Sequence, residues 1–129
     1  IVPVIRNTDS LDLGAVAAET KRLAVAAREG KLSLEELEGG TFVVTALGMY
    51  GVDSFTPIIN PPNTAILGVG RLREIAIWEN DSFTGVTAIT LSLSWDHRAF
   101  DGAPAALFLQ TVKQQLERWG TVSLEKETS

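Results

Sequence analysis

Between Leu13 and Ala27 the apolar positions Leu13, Val16, Ala17, Thr20, Leu23, Ala24 and Ala27 follow a 3.6-residue period. Asp12 ahead of them supplies an N-cap and Gly30 a stop, so the pattern predicts a first helix. Its other side carries Glu19, Lys21, Arg22, Arg28 and Glu29, whose mixed signs read as a solvated face. Ser33 followed by Glu36 is a capping box for one short helical stretch, closed by Gly39 and Gly40.

After that break the pattern changes to strands. TFVVT, Thr41 to Thr45, is rich in β-branched residues, and the Gly- and Pro-punctuated LGMYGVDSFTPIINPPN reads as an ordered loop. Ala65 to Val69 and Leu72 to Trp78 read as two strands or one bent strand, with a hairpin turn over Glu79 to Ser82. Thr87, Ile89, Leu91, Leu93 and Trp95 then alternate with Ala88, Thr90, Ser92 and Ser94, which predicts one strand with a bulky face and a small or polar one. It runs directly into WDHRAFDG. A last helix is expected from Pro104 in its first turn, with a packing stripe of Ala105, Leu109, Val112, Leu116 and Trp119. Residues 121–129 are polar and aperiodic and read as a tail, so the structured part is expected over residues 1–120. The opening IVPVI has the pattern of a strand entered partway, which suggests a fragment or a cleaved product.

Composition narrows the classes. The chain has 129 residues, enough for one compact domain, and 45% hydrophobic against 21% charged residues supply an ordinary core. Eleven Lys and Arg against sixteen Asp and Glu give a formal charge of -5, which argues against nucleic acid as a partner. No run reaches the roughly 18 to 20 apolar residues of a membrane span, and no membrane partner is expected. With no cysteine, disulfides and enzyme thiolates are excluded, so any reacting thiol comes from a substrate. One histidine and no cysteine leave only carboxylates to complete a soft-metal site, so no metal is expected.

His97, the only histidine, is the one side chain whose ordinary pKa, about 6.5, suits proton shuttling near neutral pH. A lone histidine is more often structural. Here it stands between Asp96 and Arg98 at a strand terminus, with Asp101 and Gly102 just beyond, a place where a rigid sheet presents a base. Asp101 could orient that base, pair with a cation that holds the turn, or simply begin the helix. Other patterns are weaker. Gly68-Val69-Gly70 lacks the third glycine and the following helix of a dinucleotide site. Asn80-Asp81-Ser82 matches a glycosylation triplet but reads as a turn, and Trp78, Trp95 and Trp119 read as core or interface residues.

Taken together, LSLSWDHRAFDGA, GGTFVVTALGMYGVDSFTPIINPP and AILGVG resemble the catalytic domain of the dihydrolipoyl acyltransferases, the core subunits of 2-oxo acid dehydrogenase complexes. The resemblance runs from IVPVIRN to the last helix and covers about the C-terminal half of the family's catalytic domain. It implies an α/β fold, a two-layer sandwich of mixed sheet and helices like that of chloramphenicol acetyltransferase, here as an incomplete domain. It places the family's catalytic histidine on His97, the aspartate that helps hold the site on Asp101, and the hydroxyl that steadies the tetrahedral intermediate on Thr45. Many relatives have serine at that last position, and they usually follow it with asparagine where this chain has Ala46.

The implied reaction is acyl transfer between the dihydrolipoyl thiol and coenzyme A. Coenzyme A is a substrate, and the lipoyl group is carried on a domain outside this chain. The implied partners are a homotrimer or larger core, a second polypeptide bearing the N-terminal half, the lipoyl domain and the other dehydrogenase subunits. His97 and Thr45 are expected to meet across a subunit boundary. The implied location is the cytoplasm of a bacterium or the mitochondrial matrix of a eukaryote. The alternative is a non-catalytic structural core subunit or half-domain of such a complex. A peptide-condensing relative is disfavoured, because it expects a second histidine where Asp96 stands.

Overall fold

The computed structural model describes residues 1–127, with side chains to Trp119. The chain divides into two compact units, Ile1–Thr41 and the residues from Phe42 onward.

The first unit is built on helix α1, Leu13–Arg28, whose N-cap Asp12 accepts from the Ala15 N–H at 2.7 Å. Val16, Leu23 and Ala27 of the predicted stripe turn inward, and Leu23 is 1% exposed. The expected capping box is present on a single 3₁₀ turn, Leu34–Glu36: Ser33 Oγ accepts from the Glu36 N–H and Glu36 accepts from the Ser33 N–H. Two sequence readings need correction here. Glu19 and Arg22 are not merely solvated, since Arg22 reaches both Glu19 and Glu36 at 2.6 Å. IVPVI forms no strand; Pro3 removes a ladder donor, and the segment is tied down by the Val4 N–H on the Glu36 carbonyl and by Arg6 on the Glu35 and Glu38 carbonyls.

The second unit holds strands β1, Val43–Ala46; β2, Ala65–Val69; β3, Arg73–Glu79; β4, Ser82–Ala88; and β5, Leu91–Trp95, followed by helix α2, Gly102–Glu127. The central β2 pairs parallel with β1 and antiparallel with β5, and α2 lies against β5, so the unit is of the α/β class with a mixed sheet. β2 is buried along Ala65 to Gly68. One register row joins Thr45, Gly68 and Ser92, and another joins Val43, Ile66 and Ser94.

The alternating run from Thr87 to Trp95 is not one strand. It breaks at Ile89 and Thr90, and β4 turns away to pair with β3 as a separate two-stranded ribbon. Alternation alone could not reveal this, because both strands obey it across the break. The β3–β4 turn falls where expected, with Asn80 and Asp81 both at positive φ, 51° and 61°, as a two-residue hairpin of the primed type requires. Trp78 and Trp119 are 63% and 57% exposed and so belong to no core of this chain. In α2, Ala105, Leu109 and Val112 of the expected stripe are covered, whereas Leu116 and Trp119 are exposed. The helical backbone continues past Gly120 to Glu127, through strong helix formers such as Leu124 and Glu125, where the sequence reading placed a tail. Residues 128 and 129 of that tail lie outside the described residues.

Candidate active site

β5 ends at Trp95, and the chain leaves the sheet through a turn over His97 to Ala99 before α2 begins. The turn is fixed from several sides. The Asp96 N–H donates to the Thr64 carbonyl at 2.7 Å, which ties the turn to the start of β2. Trp95 Nε1 donates to the Phe100 carbonyl at 3.1 Å, and the two rings stack at 6.4 Å. Arg98 folds back on Asp96 through Nε and Nη2, and its own N–H also donates to the Asp96 carboxylate. The Arg98 guanidinium is the main reason the Asp96 carboxyl is held down to about 2.

His97 stands between these anchored neighbours with its side chain 70% exposed. Its Nδ1 faces Asp101 Oδ1 at 3.7 Å. Asp101 therefore stands beside the ring and also starts α2, because its carbonyl accepts from the Ala105 N–H. Of the roles left open by the sequence, the backbone of Asp101 takes that of beginning the helix, while the Arg98 guanidinium pairs with Asp96 and not with Asp101. The ring borders an open hollow of about 490 Å³ whose walls include Ile59, Pro61, Pro62 and Trp95. That loop supplies a feature the sequence reading missed, the buried Oδ1 of Asn63. The sequence places NPPN at the end of an ordered loop, and nothing in it signals which atom is buried without a partner.

Thr45 lies elsewhere on the sheet, half-buried on β1. Its row is three residues along the strands from the row of Trp95, and β1 and β5 flank β2. At about 3.3 Å per residue and 4.8 Å per strand, this puts Thr45 roughly 14 Å from Trp95, and His97 stands two residues past that strand end. The two residues do not meet within one chain. In the row of Thr45, Gly68 leaves room for Phe55 and Pro57: a Cβ there would stand 3.0 Å from the Phe55 ring.

Comparison with known proteins places this arrangement. The chain is 40% identical to a probable dihydrolipoamide acetyltransferase from Listeria monocytogenes, with a TM-score of 0.88 over 92% of this chain and 50% of that one. A dihydrolipoamide acetyltransferase from Azotobacter vinelandii aligns with 41% identity and a TM-score of 0.84, over 88% of this chain and 47% of that one. That structure was solved to investigate the role of a serine, a histidine and an asparagine in its catalytic mechanism. The cubic core of a pyruvate dehydrogenase multienzyme complex aligns with 42% identity and a TM-score of 0.80, over 84% and 44% of the two chains. The fold is thus that of acyltransferase catalytic cores, the chloramphenicol acetyltransferase-like class.

The family model of the 2-oxoacid dehydrogenases acyltransferase catalytic domain matches residues 1–124, and the chain belongs to that family. Among curated relatives, the acetyltransferase component of the acetoin cleaving system of Bacillus subtilis is 47% identical over 117 residues, 91% of this chain and 29% of that protein. The chain spans about half the length of the solved structures and less than a third of that relative.

Proposed function

We propose that this chain carries both reacting groups of an acyl-transfer site, which exchanges an acyl group between a dihydrolipoyl thiol and the thiol of coenzyme A. The observation that carries the reading is the exposed imidazole of His97, held at a strand end with Nδ1 toward Asp101 and open to a hollow. Spacing supports it: in the Azotobacter protein the serine precedes the histidine by 52 positions and the asparagine follows it by 4, as Thr45 precedes and Asp101 follows His97 here.

With its proton on Nδ1 toward Asp101, neutral His97 offers Nε2 as a base. The incoming thiol, with an ordinary pKa of about 8.5, gives up its proton there as sulfur attacks the thioester carbonyl. The carbonyl oxygen becomes negative and accepts a hydrogen bond from the Thr45 hydroxyl of a neighbouring copy. Collapse expels the second thiolate, which takes the proton back from the imidazolium. The lipoyl group arrives as a substrate on another domain, and the working form is a multimeric core, in keeping with the cubic core to which the chain is similar. The setting is the cytoplasm of a bacterium or its organellar counterpart.

The test is transfer from acetyl-CoA to dihydrolipoamide by the parent and by His97→Ala in the assembled protein. Loss of about a hundredfold or more is expected, with particle size by light scattering unchanged. Retention of most of the rate discards His97 as the base. An inactive parent leaves the scaffold role instead.

A further inference from the structure

The side chain of His97 is 70% exposed, and among the described residues two side chains pair with its ring. One is the Asp101 carboxylate, 3.7 Å from Nδ1 and itself 85% exposed. A side chain so open to solvent keeps its own rotamer freedom and gives the imidazole a charge to face, not a fixed wall. The other is Trp95, whose ring centroid lies 6.3 Å from that of His97 with the two planes 34° apart, within the range of aromatic pairs.

Trp95 is the rigid member. It closes β5 in register with the buried Ala65 of β2. Its Nε1 donates to the Phe100 carbonyl at 3.1 Å, and its ring stacks on Phe100 at 6.4 Å with the planes 18° apart. The part-buried indole is thus held at its nitrogen and at its face. The bonds between Asp96 and Arg98 set the backbone on either side of His97, but they join atoms of those two residues and leave the χ angles between them open. An exposed side chain loses rotamer freedom when it is brought to one reactive geometry, and a wall that favours that geometry beforehand removes the cost.

We infer that Trp95 is a positioning residue: its indole holds the His97 imidazole in one rotamer at the border of the hollow that both rings line. The kinetic consequence rests on the acyl-transfer reading above; the ring pairing does not. Trp95 itself exchanges no proton.

His97 is the only histidine, so its ring signals are assigned without ambiguity in NMR spectra of protein labelled at histidine and tryptophan. The parent should show nuclear Overhauser contacts between the two rings and the χ1 couplings of a single rotamer. Trp95→Leu should lose the contacts, average the couplings and lower kcat for acetyl transfer by about five- to tenfold, with a smaller change in KM. Trp95→Phe, which keeps a ring but gives up the Nε1 donor, should restore the single rotamer and most of kcat. An Asp96 carboxyl that still titrates at about 2 reports that the turn itself stands in each variant. If leucine raises that midpoint, the turn has gone with the ring, and phenylalanine against the parent decides. Three results overturn the inference: a parent imidazole that averages over rotamers, a leucine variant with its turn intact that keeps one rotamer, and a phenylalanine variant whose imidazole averages. A parent with an ordered imidazole that transfers no acetyl group leaves the inference standing and sinks the acyl-transfer reading instead.

Discussion

Arg98 is clamped to Asp96 across His97: Nη2 donates to Asp96 Oδ2 at 2.7 Å, Nε to Oδ1 at 3.0 Å, and the Arg98 N–H to Oδ1 at 2.9 Å. The histidine is thus held by the residues on either side of it. This guanidinium, and then the Arg98 N–H, keep the Asp96 carboxyl at about 2, below the ordinary carboxylate value near 3.9. A depressed folded pKa contributes stability that is present above about pH 4 and is lost as pH falls toward 2. Glu36, at about 2 through the Ser33 N–H and then Arg22, adds to the same acid window. Carbon-13 titration of Asp96 should give a midpoint near 2 in the parent and a higher one in Arg98→Met, still short of the ordinary value because the backbone N–H of residue 98 remains. Equal midpoints would show that the clamp does not form in solution.

Thr45 should reveal itself in turnover. Thr45→Ala is expected to lower kcat about a hundredfold with a smaller change in KM, and Thr45→Ser to restore most of it, since serine keeps the donor. A change confined to KM would make the hydroxyl a binding group.

Gly70 and Gly48 mark where the β1 and β2 ends meet their loops. A Cβ on Gly70 would overlap the Asp53 carbonyl, and one on Gly48 would lie 2.8 Å from both Arg71 Cα and the Gly70 carbonyl oxygen. These are backbone atoms with little room to yield. Gly70→Ala should cost roughly 2 kcal/mol and lower the melting temperature by several degrees. Thermal denaturation followed by circular dichroism reads this directly, and an unchanged midpoint counts against the packing described.

The hairpin turn allows a gain. Asp81 sits at φ 61° after Asn80 at φ 51°, a conformation that suits glycine better than aspartate. Asp81→Gly should stabilise the ribbon by a few tenths to about 1 kcal/mol, seen as a higher denaturant midpoint at constant slope. A lower midpoint would mean that the aspartate side chain holds the turn.

Local chemistry made much of this fold readable. Asp12, the Ser33 and Glu36 pair, and the Glu79 to Ser82 turn act within a few residues, and each is found where its type predicts. β2 is bounded as read because both its faces are covered and its residues are continuously apolar. The split between β4 and β5 was not readable, since the choice of sheet is made by distant partners, β3 for one and β2 for the other. At the site, His97 and Asp101 stood out through residue type and spacing. Asn63 did not, because its significance lies in which of its atoms goes unpaired, a property of three dimensions. The seat of Phe55 over Gly68 was hidden for the same reason.

The roughly 14 Å that keep Thr45 and Trp95 apart, with His97 farther along the chain, carry a consequence for genetics as well as kinetics. A defect in one residue leaves the other intact in the same polypeptide. If each reaction centre draws its two halves from adjoining molecules, Thr45→Ala and His97→Ala, each impaired about a hundredfold or more alone, should regain activity when unfolded together and reassembled in equal amounts. Random mixing would pair a sound alcohol with a sound imidazole at about a quarter of the junctions.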